Sequence, residues 1–260
     1  MTRIFDALKK ARAPHEPAMS LPPASAPAPH GSPIHAVMNR GPAPATSARM
    51  PLERSELVPI GSIAPMDDTV IRELATLRII LESSLADRTP RSIMLASSQP
   101  GEGTSTVTLQ FAQALMQEAG QRVLIVDARS RRRSPLYESA ARAIRAGEGR
   151  GRAVMDLLSL ADRNQRGSSL PVLAIRDLIE VSGSGYDWIL VDAPALLESP
   201  DSAPLAAQMD AVVLVIQAGR TKRPVLVRAM DLLRRSGANV VGTVLNRRRL
   251  EIPDFIYRRI

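Results

Sequence analysis

Five short runs of nearly unbroken apolar residues recur in the second part of the chain. They are "RSIMLAS" at 91–97, "RVLIVDA" at 122–128, "YDWILVDA" at 186–193, "AVVLVIQA" at 211–218 and "NVVGTVLN" at 239–246. Their apolar residues are continuous rather than alternating, the pattern of strands buried on both faces. Between them, residues 105–119, 153–160, 201–208 and 223–236 carry apolar side chains at helical spacing. A further helix is predicted over 66–84, where Val70, Ile71, Leu74, Leu77 and Leu81 fall on one face. Strand alternating with helix predicts an α/β fold, a mostly parallel sheet with helices on both faces. Such sheets bind ligands at the carboxyl ends of their strands.

The pattern stops short of the N-terminal quarter. Residues 1–12 predict a short amphipathic helix with Ile4, Phe5 and Leu8 on one face, a candidate docking element. Residues 13–64 are rich in Pro, Ala and Ser, and 12 of the 21 prolines fall in residues 1–65. A segment of that composition cannot bury enough apolar surface to offset its ordering entropy, so a disordered tether is expected there. The folded domain is expected over 65–260.

Composition narrows the chemistry. The chain of 260 residues has no cysteine, which excludes disulfides and thiolate metal sites. Its three histidines, His15, His30 and His35, all lie in the tether, so histidine catalysis and histidine metal sites are excluded from the domain. Net charge is +8, carried almost wholly by arginine, since Lys9, Lys10 and Lys222 are the only lysines. A basic surface suits phosphates or an anionic membrane leaflet. Aromatics are only 3%, which argues against a base-stacking nucleic-acid surface. No apolar run reaches the ~20 residues of a membrane span, and no secretory signal is legible at the start. The expected location is cytoplasmic, with recruitment to the inner face of the membrane.

The candidate chemistry lies at the strand ends. "SSQPGEGTST", residues 97–106, follows one predicted strand and opens a predicted helix. That is the context of a Walker A phosphate loop, whose backbone N–H groups and helix dipole cradle a phosphate. Gly101, Glu102, Gly103, Thr104, Ser105 and Thr106 form the candidate nucleotide-binding loop, with the Ser105 hydroxyl a candidate magnesium ligand. Asp127 and Asp192 end two other strands, as candidates for holding the metal or orienting a water. Thr104 stands where the loop's lysine belongs. Arg129, Arg131 and Lys222 are the candidate substitute cations.

Those stretches, in their order, resemble the bacterial tyrosine kinases of capsule and exopolysaccharide synthesis, relatives of the Min/Par-type deviant P-loop ATPases. The resemblance covers about residues 66–250, and "MTRIFDALKKARA" is similar to the start of some soluble members. It assigns Gly101, Gly103, Ser105 and Thr106 to Walker A, Asp127 to the second (A′) motif and Asp192 to Walker B. It implies magnesium with ATP or ADP, autophosphorylation on tail tyrosines, and a membrane-bound polysaccharide copolymerase as partner, with homo-oligomers a further expectation. The sequence departs from that pattern at Thr104, and at Gln99, where Min/Par proteins carry a second lysine. The stretch between Asp127 and Tyr186 is short. Tyr257 is the only tyrosine after Tyr186 and hence the one tail phosphoacceptor. Of the ring-interface motif, Arg78 is the best survivor. The expectation is a degenerate kinase-family regulator or scaffold with weak nucleotide binding. The alternatives are an active autokinase with a substituted cation and a Min/Par-like positioning protein on DNA or membrane.

Overall fold

The computed structural model describes residues 57–61, 66–86, 88–129, 134–146, 154–161 and 185–248, with Ile175 and Ile179. All lie in the unit Ala48–Ile260. The expected helix at 1–12, Arg131 and Tyr257 lie outside the described residues.

Seven strands form one sheet: β1 (Val58–Gly61), β2 (Arg91–Ser97), β3 (Val123–Asp127), β4 (Val154–Ser159), β5 (Trp188–Asp192), β6 (Ala211–Gln217) and β7 (Val240–Asn246). Their spatial order is β1-β4-β3-β5-β2-β6-β7. Every pairing is parallel except β1 with β4. Among the described residues the helices include α1 (Asp68–Ser84), α2 (Thr104–Ala119), α3 (Pro135–Arg145), α4 (Ser202–Ala206) and α5 (Arg223–Arg235). Among the described residues, no helix is long and apolar enough to cross a membrane.

Strands β2, β3, β5 and β6 are covered on both faces, which explains their continuous apolar runs, whereas edge strand β7, also expected to be buried on both faces, has no buried residue. Ile93, Leu95, Val123, Ile125, Trp188, Leu190, Ala211 and Val213 pack on one side with Leu74 and Leu81 of α1, Phe111 and Leu115 of α2, and Tyr137 of α3. The residues between them, Met94, Ala96, Leu124, Val126, Ile189, Val191, Val212 and Leu214, pack on the other side with Leu205 of α4 and with Ala229 and Leu233 of α5. Successive side chains of a strand point to opposite faces, so two cores require every position to be apolar.

Helix boundaries follow local chemistry. Asp67 caps α1, its carboxylate accepting from the Thr69 N–H at 3.3 Å. Helix α2 runs between two glycines in left-handed geometry, Gly103 at φ 96° and Gly120 at φ 62°. The expected helix at 201–208 is shorter, Ser202–Ala206.

Two further expectations need correction. Residues 153–160, expected as a helix, contain strand β4. Val154, Leu157 and Leu158 fit helical spacing, but a short apolar run does not distinguish helix from strand. The free edge of β3 decides, and β4 pairs with it in parallel from Leu124↔Asp156 to Asp127↔Ser159. Residues 58–61, expected within the disordered tether, form edge strand β1 on β4. Pro59 disguises it, since proline in a sheet is confined to edges. Ile60 is fully buried, and the Gly61 backbone lies so close to Ile144 of α3 that a Cβ there would meet its side chain at 2.8 Å. Helix α3 was not anticipated, although Ser134 followed by Pro135 is a typical helix start.

Phe111 of α2 meets Trp188 of β5 edge-on, with centroids 6.0 Å apart and planes at 81°. Both rings are essentially buried. Phe111→Ala is expected to lower unfolding stability by about 3–5 kcal/mol, read as a drop in the urea midpoint at unchanged slope. A loss under about 1 kcal/mol would mean that this helix-to-sheet contact is slack.

Candidate functional site

The loop between β2 and α2, the ends of β3 and β5, and the ends of β6 and β7 converge at the carboxyl edge of the sheet. Register does much of the work: Asp127 of β3 is paired directly with Asp192 of β5, and Leu95 of β2 also pairs with Asp192. The two carboxylates named from sequence therefore stand side by side beside the loop.

The loop turns on its two glycines. Gly101 (φ 82°) and Gly103 (φ 96°) take left-handed conformations that cost glycine little. A Cβ on Gly103 would fall 2.1 Å from Asn246 Nδ2, so only glycine fits there. No side chain caps α2, and the first amides of a helix have no partner within it. They are available to an anion.

Glu102 holds this shape from below and is only 2% exposed. Its Oε2 accepts from the backbone N–H groups of Ser98 at 2.8 Å and Gln99 at 3.1 Å. The Thr221 hydroxyl donates to Oε1, and Asn246 Nδ2 donates to the Glu102 carbonyl at 2.9 Å. Its carboxylate is thus turned inward, into the loop's own structure. Thr104, the residue in the lysine position, is buried at the head of α2, and its carbonyl accepts from the Thr108 hydroxyl at 2.9 Å.

Arg129 is the centre of the site. Its Nε donates to Asp127 Oδ1 at 2.8 Å, and its Nη2 donates to Asp192 Oδ2 at 2.8 Å and to Ser105 Oγ at 3.2 Å. Its backbone N–H also reaches Asp127 Oδ1 at 3.3 Å, and the Ser134 N–H donates to Oδ2 at 2.9 Å. Both oxygens of Asp127 are engaged. Sequence nominated Arg129 as a phosphate cation, and the structure puts its charge on the two carboxylates instead.

The electrostatics follow from burial. Asp192 is pushed up to about 6 by burial, against the pull of Arg129 and with further repulsion from Asp127. Burial opposes the charge on Arg129, but Asp192 and Asp127 outweigh it and hold the guanidinium above its ordinary pKa. Tyr137 of α3 is fully buried beside them; burial, then the Asp192 and Asp127 charges, raise its phenol well above the usual range.

Two other arginines flank the loop that sequence did not single out. Arg247 Nη1 donates to the Gly101 carbonyl at 3.2 Å, and Arg220 Nη1 lies 3.7 Å from where a Gly101 Cβ would stand. They follow the ends of β7 and β6, a signal usable only once the strand order is known. Lys222 is exposed at the head of α5 and makes no hydrogen bond or ion pair to the loop among the described residues.

A magnesium ion at these strand ends would draw on Ser105 Oγ, Asp127 and Asp192. Arg129 already holds all three. As arranged, the residues present do not fit the ion.

The architecture and loop define the class, a domain of P-loop NTPase fold. Proteins similar to it in sequence include bacterial tyrosine kinases. The tyrosine-protein kinase YwqD of Bacillus subtilis is 26% identical over 193 residues, covering 67% of this chain and 80% of that protein. The succinoglycan biosynthesis transport protein ExoP of Rhizobium meliloti is 29% identical over 191 residues, covering 65% of this chain but only 24% of ExoP. The kinase domain of Escherichia coli tyrosine kinase ETK superposes with a TM-score of 0.55 at 21% identity, covering 70% of this chain and 79% of that domain. No family model matches the sequence.

Asp192 gives the site a pH signature. Its folded pKa, about 6, exceeds the ~3.9 of an unfolded chain. The stability this contributes is complete below about pH 4 and is lost as pH rises through about 6. Asp192→Asn removes the effect, so wild-type stability should fall relative to the variant between pH 4 and 7, by at most about 3 kcal/mol. Urea midpoints across that range are the measurement, and parallel curves would show that Asp192 titrates alike in both states.

Proposed function

We propose that this chain acts in capsule or exopolysaccharide biosynthesis as a degenerate relative of the bacterial tyrosine kinases, a regulator or scaffold that binds nucleotide weakly. One observation carries the reading. The loop keeps its phosphate-binding frame through Gly101, Gly103 and Glu102, while Thr104 supplies no charge and Arg129 is committed to Asp127 and Asp192. The similarity to the succinoglycan biosynthesis transport protein ExoP supports the process, and the similarity to the tyrosine-protein kinase YwqD supports the kinship with kinases.

Magnitudes favour a binding protein over a catalyst. A charge-assisted hydrogen bond to phosphate contributes about 1.5–3 kcal/mol. Its loss costs roughly ten- to a hundredfold in affinity. Phosphoryl transfer depends more heavily on cations that stabilise the moving charge, and one missing donor costs on the order of 10²–10³ in rate. A second reading, an active autokinase or ATPase with a substituted cation, has its support in Arg220 and Arg247 beside Gly101.

Thr104→Lys is expected to tighten ATP binding at least about tenfold, read by calorimetry. Tight binding by the natural protein, unmoved by the substitution, would favour the second reading, as would a phosphate adduct in the intact mass after incubation with ATP.

The proposed partner is a membrane-bound polysaccharide copolymerase, docked through Ile4, Phe5 and Leu8. Burying three such side chains is worth up to about 5–8 kcal/mol before ordering costs, which leaves about micromolar, reversible binding. Deleting residues 2–12 should abolish co-purification with that partner and leave the thermal melt unchanged. Full co-purification of the truncated protein would move the docking site to the domain, with α1 and Arg78 as the next candidate.

A further inference from the structure

The three oxygen groups that a divalent cation would take at this sheet edge are already held by one side chain. Arg129 spans Asp127 and Asp192 with Nε and Nη2, each 2.8 Å from its carboxylate, and Nη2 also reaches Ser105 Oγ at 3.2 Å. Asp127 and Asp192 are essentially buried beneath it, whereas the Arg129 side chain is 31% exposed. The arginine closes the carboxylate pair off from solvent.

We infer that Arg129 is the resident cation of this site, and that the protein takes its ligand, a nucleoside di- or triphosphate, without a divalent metal. The ligand half rests on the reading of residues 98–106 as a phosphate loop; the metal half rests on Arg129 alone.

Two observations carry it. The first is donor chemistry. Magnesium demands near-octahedral oxygen ligands at about 2.0–2.1 Å, and here Asp127, Asp192 and Ser105 are spent on a planar guanidinium. The second is how firmly the arrangement is held. Asp127 Oδ1 takes the Arg129 backbone N–H as well as Nε, and Oδ2 takes the Ser134 N–H. Each oxygen of Asp127 thus already accepts a backbone amide, and a metal would have to displace amides as well as a side chain. The loop's amides and the exposed Arg220 and Arg247 remain on the outer side to meet the phosphates.

The full-length protein allows the two halves to be tested separately. Manganese, which shares magnesium's preference for oxygen ligands, is titrated and read by electron paramagnetic resonance. The wild type should show no stoichiometric site. Arg129→Ala should gain one, and the added substitution Asp127→Asn should remove it again. A stoichiometric manganese site in the wild type overturns the metal half, as does a folded Arg129→Ala that gains none. If the melt shows that Arg129→Ala does not fold, Arg129→Gln takes its place, and the wild-type titration decides in any case. In calorimetry with ATP, wild-type affinity should differ by less than about threefold between excess magnesium and EDTA. Tightening by magnesium of about tenfold or more overturns the inference while leaving nucleotide binding intact. If ATP binds under neither condition, the phosphate-loop reading and the ligand half fall together, and the manganese titration alone judges the arginine.

Discussion

Two buried carboxylates side by side are the constraint around which the functional edge of this protein is arranged. Asp127 and Asp192 meet because β3 and β5 pair in register to their last residues. Two like charges in a water-poor environment repel, and neither is stable there without a cation. Arg129 supplies it, from two residues beyond Asp127, with a fork that fits both carboxylates at once. Removing one partner of such a buried pair typically costs about 3–5 kcal/mol, because the other charge is left uncompensated. The arginine thus belongs to the stability of the sheet edge as much as to its chemistry.

The phosphate loop repeats this logic of internal satisfaction. Glu102 takes two loop amides with one carboxylate oxygen and the Thr221 hydroxyl with the other, tying the loop to the turn after β6. Asn246, at the end of β7, holds the Glu102 carbonyl and leaves no room for a side chain on Gly103. The loop's shape is therefore imposed by the strands around it and does not wait for a ligand. That accounts for a well-formed loop in a chain that lacks the loop lysine: the frame and the charge are carried by different residues, and one can be lost without the other.

The same split separates what is general in this fold from what is particular to this chain. A P-loop architecture supports both kinases and non-catalytic binders, so fold alone does not decide activity. The deciding residues are few. Thr104 is short, uncharged and buried at the head of α2, and Arg129 is long and charged across Asp127 and Asp192.

The sequence by itself determined the parts whose physics is local or periodic. Continuous apolar runs marked β2, β3, β5 and β6, because a strand covered on both faces has no polar position to spare; the run of β7 marked a strand too, but one at the sheet's edge with no buried residue. The glycine pattern marked the loop, and the acidic ends of two runs marked Asp127 and Asp192. What only the tertiary structure decided depends on neighbours distant in the chain. Val154–Ser159 is a strand because β3 offers it an edge, and Val58–Gly61 is ordered because β4 does. Arg220, Arg247 and Asn246 reach the loop only because β6 and β7 lie beside β2. Above all, sequence could place Arg129 near a phosphate but could not say what it touches. A guanidinium on a long side chain goes to the strongest anions within reach, and only the register of β3 with β5 brings both carboxylates there.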